Sequence, residues 1–457
     1  MSELYGRQIV FIISYGGFTA FNAGAAGAQN IQTLLLMRFF AGAFGSSPFT
    51  NAGGVIADVF PASERGLAMA IFALCPSLGP TIGPIVGGFL GQSQGWEWVE
   101  GLMAILSGLL WIIVSFTVPE TYAPVLLHRR AVKLSQMTGK VYRTRIEIDA
   151  GSISLTKAFN TALSRPFLLL FREPIIFLLS IYMAIIYGTL YLLFGAYPIV
   201  YQQHRHWSEG IGGLGFLGVG LGMILAIPFF GYLDKFYSKA MQSNGGRQPE
   251  PELRLPSAMV GAFAIPIGMF WFAWTNSPKV HWMASVAAGV PFGFGMVLVF
   301  LSITNYLVDA YTIFAASALA ANAVLRSLFG AAFPLFTSQM FDRLGIHWAS
   351  SVPAFLALAC IPFPFVIYKY GPAIRSRCRY AAEAAEFRDR LVQKVVDSSE
   401  KEDEAAGTND AGDSGVLQRV VTVSYDASPY DIDRVNTARS AMERVNTARS
   451  AMSMPRA

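Results

Sequence analysis

The chain has 457 residues, of which 53% are hydrophobic and 14% are charged, whereas a soluble domain has roughly 25% charged residues. This leaves too little polar surface to cover one soluble core, which excludes a soluble enzyme and a disordered protein. The composition therefore predicts an all-α, polytopic membrane protein. The formal net charge of +5 fits a bias of Lys and Arg toward cytoplasmic loops, and no nucleic-acid partner is predicted.

Ten stretches of the chain are apolar and nearly free of charge, and a membrane-spanning helix needs about 20 such residues. Four of them precede residue 119 and six follow residue 173. The polar residues Gln29, Asn30 and Gln32 predict a hairpin between the first two helices. In chain order the stretches are 9–37, 39–57, 66–96, 101–119, 174–203, 210–233, 255–278, 280–308, 310–341 and 344–368.

The basic residues predict the orientation. With a cytoplasmic N-terminus, the inner loops hold fourteen Lys and Arg and the outer loops hold three, as the positive-inside bias requires. Both termini are therefore predicted to be cytoplasmic. The predicted organisation is a four-helix bundle at 1–118, a polar cytoplasmic linker at 119–173, a six-helix bundle at 174–371 and a cytoplasmic tail at 372–457. The tail is predicted to be helical at 381–396 and largely disordered beyond.

The third stretch carries a glycine at every fourth position, with prolines after the first two: Gly79, Pro80, Gly83, Pro84, Gly87 and Gly91. This places a stripe of small residues on one helix face, and Gly88 widens it. The prolines weaken the helix by freeing backbone carbonyls. Tight packing alone explains the glycines, but the repeated Gly-Pro pairs favour a flexing or sliding interface.

Charged and amide side chains inside the apolar stretches are costly, so they mark candidate functional positions. Arg38 is predicted to face the bundle interior or a wet cavity, the alternative being an arginine nearer the outer surface. Asn322 and Arg326 are four residues apart and are predicted to face a cavity. Asn305 and Asp309 have the same spacing. Asp309 either pairs with Arg326 or lies in the aqueous inner loop, and the loop is favoured.

The fifth stretch is rich in tyrosine. Tyr187 and Tyr191 lie on one helix face, where they could stack on an aromatic or cationic cargo. Plain packing in the helix core explains them equally well.

Two patterns resemble sites but are better explained otherwise. The glycines of 213–218 fit the dinucleotide fingerprint, yet they lie inside an apolar stretch without a preceding strand. His204 and His206 resemble a pair of metal ligands, but they flank Arg205 in a predicted outer loop, so a solvated cluster is favoured over a metal site. No Walker motif is present, and no cofactor or metal is predicted. The five histidines are dispersed, which disfavours an integral membrane enzyme.

Several segments together resemble fungal major facilitator superfamily transporters of the drug:proton antiporter type with twelve spans. That group contains polyamine, multidrug and mycotoxin exporters. The resemblance rests on SELYGR at 2–7, LMRFFAG at 36–42, Asp58 with ERG at 64–66, GPTIGPIVGG at 79–88, VPETY at 118–122 and NYLVDAY at 305–311.

The resemblance implies a major facilitator fold of two helical bundles and export of a small organic molecule by proton-coupled alternating access. The implied partners are this substrate, protons and the lipid bilayer. A monomer in the plasma membrane is expected, and no enzymatic activity. The resemblance also implies roles: cytoplasmic gating by Glu3, Gly6, Arg7, Asp58 and Arg65, an antiport hinge at the glycine stripe, and a cavity lined by Arg38, Asn322 and Arg326.

The family has six helices in each half, whereas four plus six are expected here. The resemblance therefore implies that the first two helices are missing. The alternative function is a truncated, non-transporting membrane protein or a sensor. A sensor is expected to carry structured docking motifs in its tail, and the low-complexity tail disfavours it.

Overall fold

The computed structural model describes residues 6–60, 62–142, 144, 155–243 and 250–386. At several of these positions, including 62–71 and 73–77, only the backbone is described. These ranges are helical with short connections and contain no β-strand. The α-helices are α1 (Arg7–Ala26), α2 (Ile31–Val59), α3 (Ala62–Gln94), α4 (Trp96–Thr117), α5 (Ala123–Thr138), α6 (Leu155–Arg172), α7 (Pro174–Tyr197), α8 (Glu209–Gly213), α9 (Leu217–Ser243), α10 (Pro256–Thr275), α11 (Trp282–Ala287), α12 (Gly289–Tyr311), α13 (Ala315–Cys360) and α14 (Pro362–Arg377).

Polar and glycine residues set the ends of the membrane-length helices. Asn30 begins α2, and its side-chain oxygen accepts a hydrogen bond of 2.8 Å from the backbone N–H of Thr33, a typical N-cap. The hairpin predicted at residues 29–32 is therefore confirmed. Gly95, at φ 93°, separates α3 from α4, a backbone conformation that favours glycine.

Seven helical segments within the described ranges are long and apolar enough to cross a membrane. One of them, Ala315–Arg377, has 63 residues. A kink at Gly345, with φ 73° and ψ 166°, divides it into two lengths, which match the ninth and tenth apolar stretches. α2 and α3 match the second and third. The predicted all-α, polytopic fold is confirmed.

The helices pack in two groups that follow the order of the chain. In the first group α1 contacts α2 and α4, and α3 contacts α2 and α4. In the second, α7 packs along α13, while α9 and α10 pack against α12. The groups meet where α3 packs against α8 and α9. This junction therefore decides how the two groups are placed relative to each other.

The segment between the groups is helical over much of its described part. It contains α5, which buries none of its residues, and α6, which packs against α13. At the other end of the chain, residues 379–386 are helical, in agreement with the start of the helix predicted at 381–396. The remainder of the tail lies outside the described residues.

Candidate functional site

Three of the predicted site residues meet between α7, α12 and α13. The hydroxyls of Tyr187 and Tyr191 are 3.2 Å apart, and their ring centroids are 4.8 Å apart. The guanidinium carbon of Arg326 lies 5.0 Å from the centroid of the Tyr187 ring and 5.5 Å from that of Phe300. We call Tyr187, Tyr191, Phe300 and Arg326 the aromatic–arginine cluster. Phe300 was not among the site residues predicted from the sequence, because nothing in the sequence distinguishes it from other phenylalanines in the apolar stretches.

Arg326 is held in this cluster without a carboxylate partner among the described residues. Its Nε is buried and makes no hydrogen bond. One turn further along α13, a Cβ added to Gly330 would lie 3.0 Å from Tyr187 Cε1, so glycine leaves room for the tyrosine ring. The result is a half-buried cation stacked on two aromatic rings, within helices of membrane-spanning length.

Asn322 does not share this environment, which corrects its prediction as a cavity residue. It is 3% exposed, and its amide nitrogen lies 3.4 Å from the Ser180 hydroxyl and 3.1 Å from the Met183 sulfur. A buried amide needs partners, and α7 supplies them. Asn322 therefore joins α13 to α7.

Asp309 neither pairs with Arg326 nor lies in an inner loop, which were the two alternatives expected for it. It lies in the last turn of α12 rather than in a loop, and its carboxylate accepts bonds of 2.9 Å from Arg254 Nε and 2.9 Å from the Tyr237 hydroxyl. Arg254 also pairs with Asp234 at 2.5 Å. Burial lowers the pKa of Arg254, but Asp309, Tyr237 and Asp234 outweigh it and raise the pKa. Asn305 is half-buried in the same helix.

Two of the five predicted gating residues form an ion pair at the start of the first helix group. Arg7 Nε lies 2.8 Å from a carboxylate oxygen of Asp58, and both side chains are largely buried. The Arg7 guanidinium also lies 5.1 Å from the Tyr122 ring centroid. A Cβ on Gly54 would reach the Arg7 guanidinium, so glycine opens its path to Asp58. Glu3 and the side chain of Arg65 lie outside the described residues.

Gly6 is explained by Glu120, which the sequence did not single out as a site residue. The Glu120 carboxylate accepts the backbone N–H groups of Arg7 at 2.9 Å and Gln8 at 3.2 Å, and so caps α1 from the chain segment after α4. Gly6 adopts φ 99° and packs against this carboxylate. Burial raises the pKa of Glu120, but the N–H donors of Tyr122, Arg7, Gln8 and Thr121 outweigh it and lower the pKa.

Arg38 pairs with Glu100 of α4, an acidic residue that the sequence analysis assigned to a loop. The Arg38 side chain is 60% exposed and that of Glu100 is 6% exposed. Arg38 follows the start of α2 by seven residues, about 10 Å along a helix, and Glu100 lies in the first turns of α4. The pair therefore lies near the ends of α2 and α4 that border the 27–30 hairpin and Gly95.

The glycine-rich helix α3 does approach another helix closely, but along a neighbouring face. Within the described part of the chain, a Cβ on Gly79 or Gly83 would meet no atom within 4 Å, and one on Gly87 would touch only Val99 of α4, at 3.7 Å. A Cβ on Gly88 would instead lie 2.7 Å from the Glu209 carbonyl oxygen of α8. One residue turns the helix by about 100°, which separates the two faces.

The α8–α9 side of this contact is also glycine-rich. A Cβ on Gly213 would lie 2.5 Å from the Pro84 carbonyl oxygen, and one on Gly220 would lie 2.5 Å from Thr81 Cγ2. The Gly210 N–H donates a 3.1 Å hydrogen bond to Gln92. Gly213 and Gly220 thus allow α8 and α9 to pack closely against α3. Pro80 lies on α3 and is partly exposed.

Comparisons with known proteins agree with this architecture. The pattern of the Major Facilitator Superfamily matches residues 1–334. The MFS-type efflux pump MFS2 of Trichophyton rubrum is 61% identical over 460 residues, covering 96% of this chain and 77% of that protein. The multidrug transporter mdrA of Aspergillus fumigatus is 56% identical over 475 residues, covering 96% and 78%. Efflux pump FUB11 of Gibberella moniliformis is 56% identical over 395 residues, covering 86% and 66%.

Among solved structures, the proton:xylose symporter XylE superposes with a TM-score of 0.51 over 81% of each chain, at 16% sequence identity. At that identity the likeness concerns the fold alone. The sequence match and the superposition lead to one conclusion: the chain belongs to the Major Facilitator Superfamily.

Proposed function

We propose that the chain is a plasma-membrane transporter that exports a small organic molecule from the cytoplasm by alternating access, driven by proton entry. Its membership of the superfamily and the efflux-pump and multidrug-transporter names of its relatives support this. The first helix group, within 1–118, and the second, within 174–371, are the two moving bundles. Residues 119–173 link the two bundles, and residues 372–457 form the tail. Both termini are cytoplasmic in this proposal. The transporter acts as a monomer.

The unpaired Arg326 carries the proposal. A half-buried guanidinium within membrane-length helices, with no counter-ion among the described residues, costs several kcal/mol, so its retention marks a functional position. In the aromatic–arginine cluster this cation lies against Tyr187 and Phe300. An anionic or hydrogen-bond-accepting group on the cargo would satisfy it, while the rings would bind a flat organic body. A cationic cargo would be repelled, so we propose an organic acid rather than a cation.

The Arg38–Glu100 pair suits proton coupling. Glu100 is 5% exposed and is ion-paired with Arg38. Protonation of Glu100 removes the charge that holds Arg38, so α2 and α4 lose an attraction when the proton arrives. We propose Glu100 as the proton carrier and Arg38 as the residue that senses its charge.

The Arg7–Asp58 pair is the proposed cytoplasmic gate of the first bundle, with Gly6, Glu3 and Arg65. Arg254, Asp234 and Asp309 form a comparable charged cluster in the second bundle. Both join residues that are distant in sequence near helix ends, where a change in bundle angle would separate them. The contact of Gly88, Gly213 and their neighbours is the proposed sliding surface, since glycines permit close and smooth backbone packing.

The cargo proposal is tested in proteoliposomes with a fluorescent aromatic carboxylic acid and its uncharged amide. We expect proton-driven transport of the acid to exceed that of the amide about tenfold or more, and Arg326→Gln to abolish this preference. Arg343→Gln is the matched control because Arg343 is exposed on the same helix. Equal transport of acid and amide, or an unchanged preference in Arg326→Gln, would refute the cargo class.

The transport proposal itself is tested in cells that do or do not produce the protein, by comparing retained dye or toxin before and after collapse of the proton gradient. Retention that is the same in all four conditions would refute export and would favour the non-transporting alternative.

Proton coupling is tested with Glu100→Gln, which carries no titratable group at this position. We expect it to retain exchange of cargo across the vesicle membrane and to lose accumulation driven by a pH gradient. Glu97→Gln is the control, because Glu97 is exposed in the first turn of the same helix. Gradient-driven accumulation at the wild-type level in Glu100→Gln would exclude this residue as the proton carrier.

A further inference from the structure

A cavity of about 880 Å³ lies where the end of α6, the start of α7, the last turns of α14 and the segment after α14 meet. Three arginines line it, Arg172 from α6 and Arg377 and Arg379 from the last two elements. It is distinct from the aromatic–arginine cluster, because no residue of that cluster lines it. We call it the α6–α14 pocket.

Among the described residues, the three arginines have no counter-ion. All are exposed, and no carboxylate within the described ranges pairs with any of them. Arg375, two residues before Arg377 on α14, differs from them. It donates two hydrogen bonds of 2.9 Å to the buried Glu252 carboxylate. Arg375, which faces the protein, is therefore paired with Glu252, whereas the three pocket arginines have no carboxylate partner among the described residues.

The acidic residue in the lining does not neutralise the pocket. Glu173 is 1% exposed, and its carboxylate oxygens accept hydrogen bonds of 3.0 Å from the Tyr311 hydroxyl and 3.0 Å from the Tyr380 backbone N–H. The Glu173 carboxylate thus faces the protein interior. Burial, and to a smaller extent Glu173, raises the pKa of the Cys378 thiol to about 12. The exposed charged side chains of the lining are therefore the three arginines.

The other wall of the pocket is apolar. Val366 and Tyr370 are exposed on α14, at 42% and 51%, and Ile374 is half-buried one turn further on. Val366 lies in the last apolar stretch, and Tyr370 and Ile374 follow its end at residue 368, close to the end of the membrane-length segment Ala315–Arg377. The pocket therefore has an apolar wall beside a cluster of cations. A phospholipid is complementary to it, because its acyl chains and glycerol lie next to an anionic phosphate.

We propose that the α6–α14 pocket binds the headgroup of an anionic phospholipid, with Arg172, Arg377 and Arg379 on the phosphate and Val366, Tyr370 and Ile374 against its glycerol and acyl portion. Guanidinium groups bind phosphate oxygens in bidentate geometry. A soluble phosphate would use the arginines but not the apolar wall. The inference requires only that these helices span a bilayer, and it is independent of export activity.

Binding is measured on the purified full chain by native mass spectrometry, with phosphatidylinositol phosphate, phosphatidylcholine and soluble inositol phosphate as three separate probes. Phosphatidylinositol phosphate is expected to bind and phosphatidylcholine is not. The triple variant Arg172→Gln/Arg377→Gln/Arg379→Gln is expected to bind the anionic lipid about a hundredfold more weakly, because three cations near the membrane surface are removed.

The matched control removes three exposed cations from α5, Arg129→Gln/Arg130→Gln/Lys133→Gln, and is expected to bind like the wild type. An equal loss in both triple variants would show attraction by overall charge and refute a defined pocket. Inositol phosphate binding as tight as the lipid would refute a lipid site in favour of a soluble phosphate. If the pocket triple variant does not fold, Arg377→Gln and Arg377→Lys replace it: a lipid affinity unchanged in Arg377→Gln would also refute the proposal.

Discussion

The two helix groups of this protein bury their apolar residues to very different extents. In the first group, 17% of the apolar window of α1 and 11% of that of α4 is buried in the protein. In the second group the corresponding share is 72% for Pro174–Gln203 and 61% for Trp282–Tyr311. The hydropathies overlap, at 2.0 for α4 and 2.1 for Pro174–Gln203. Hydropathy therefore identifies both groups as membrane helices but does not distinguish how they pack.

The difference shows which forces hold each group. The second group encloses complete side chains such as Tyr182, Tyr197 and Tyr306, all at most 2% exposed, so packing holds it. In the first group, the polar contacts of the described residues include the Arg7–Asp58 and Arg38–Glu100 pairs, the Glu120 cap and the Trp111 indole N–H bonded to the Ile12 carbonyl at 2.9 Å. Lipid covers apolar side chains as well as protein does, so these polar contacts carry the specificity there.

The largest effect is expected from a buried ion pair of the second group. Arg375→Ala leaves the Glu252 carboxylate, 2% exposed, without its cation, and should lower the free energy of unfolding by about 3–5 kcal/mol. Denaturant titration in neutral detergent measures this. Lys369→Ala on the same helix is the control, because Lys369 is exposed, lies 5.4 Å from the centroid of the neighbouring Tyr370 ring and pairs with no carboxylate among the described residues. An equal, small effect of both substitutions would contradict the assignment.

A matched pair of isoleucines tests the comparison directly. Ile186 of α7 is fully buried, whereas Ile105 of α4 is 64% exposed. Ile186→Ala should cost about 2–5 kcal/mol through lost contacts and a cavity. Ile105→Ala should cost only about 0.5 kcal/mol or less, as for a surface position. The same titration measures both. If Ile105→Ala is as destabilising as Ile186→Ala, that face of α4 is packed against protein.

Gly6→Ala should weaken the start of the first group by about 1–3 kcal/mol, because φ 99° is a glycine conformation and because the added methyl group would displace the Glu120 carboxylate. Faster hydrogen exchange at the amides of Arg7 and Gln8 is the expected signal. Gly139→Ala is a control for φ alone, since Gly139 has φ 68° with open space around it. Unchanged exchange in Gly6→Ala would exclude the Glu120 cap.

The smallest expected effect is the pH dependence of that cap. Folding lowers the pKa of Glu120, so its contribution to stability is fully present above the ordinary glutamate value of 4.5 and is lost as the pH falls through the lower value of the folded protein. The difference in Tm between the wild type and Glu120→Gln should therefore shrink as the pH falls through that range. A difference that does not change with pH would contradict an ionised cap.

The sequence alone determined the class of the fold, the positions of the membrane helices and the family, because apolar length and local motifs are properties of contiguous residues. It also marked Arg38, Asn322 and Arg326 as candidate functional positions, since a charged or amide side chain inside an apolar stretch is costly. The hairpin at Asn30 was likewise local, because a cap involves residues three positions apart.

Tertiary structure decided which partner each charge has. Asp309 binds Arg254 rather than Arg326, Arg38 binds Glu100, and Glu120 caps a helix more than a hundred residues earlier in the chain. It also decided that Gly88, not Gly79 or Gly83, lies at the close contact between the two groups. The physical reason is that helix rotation and pairing depend on the packing of whole faces, and a shift of one residue along α3 selects a different face.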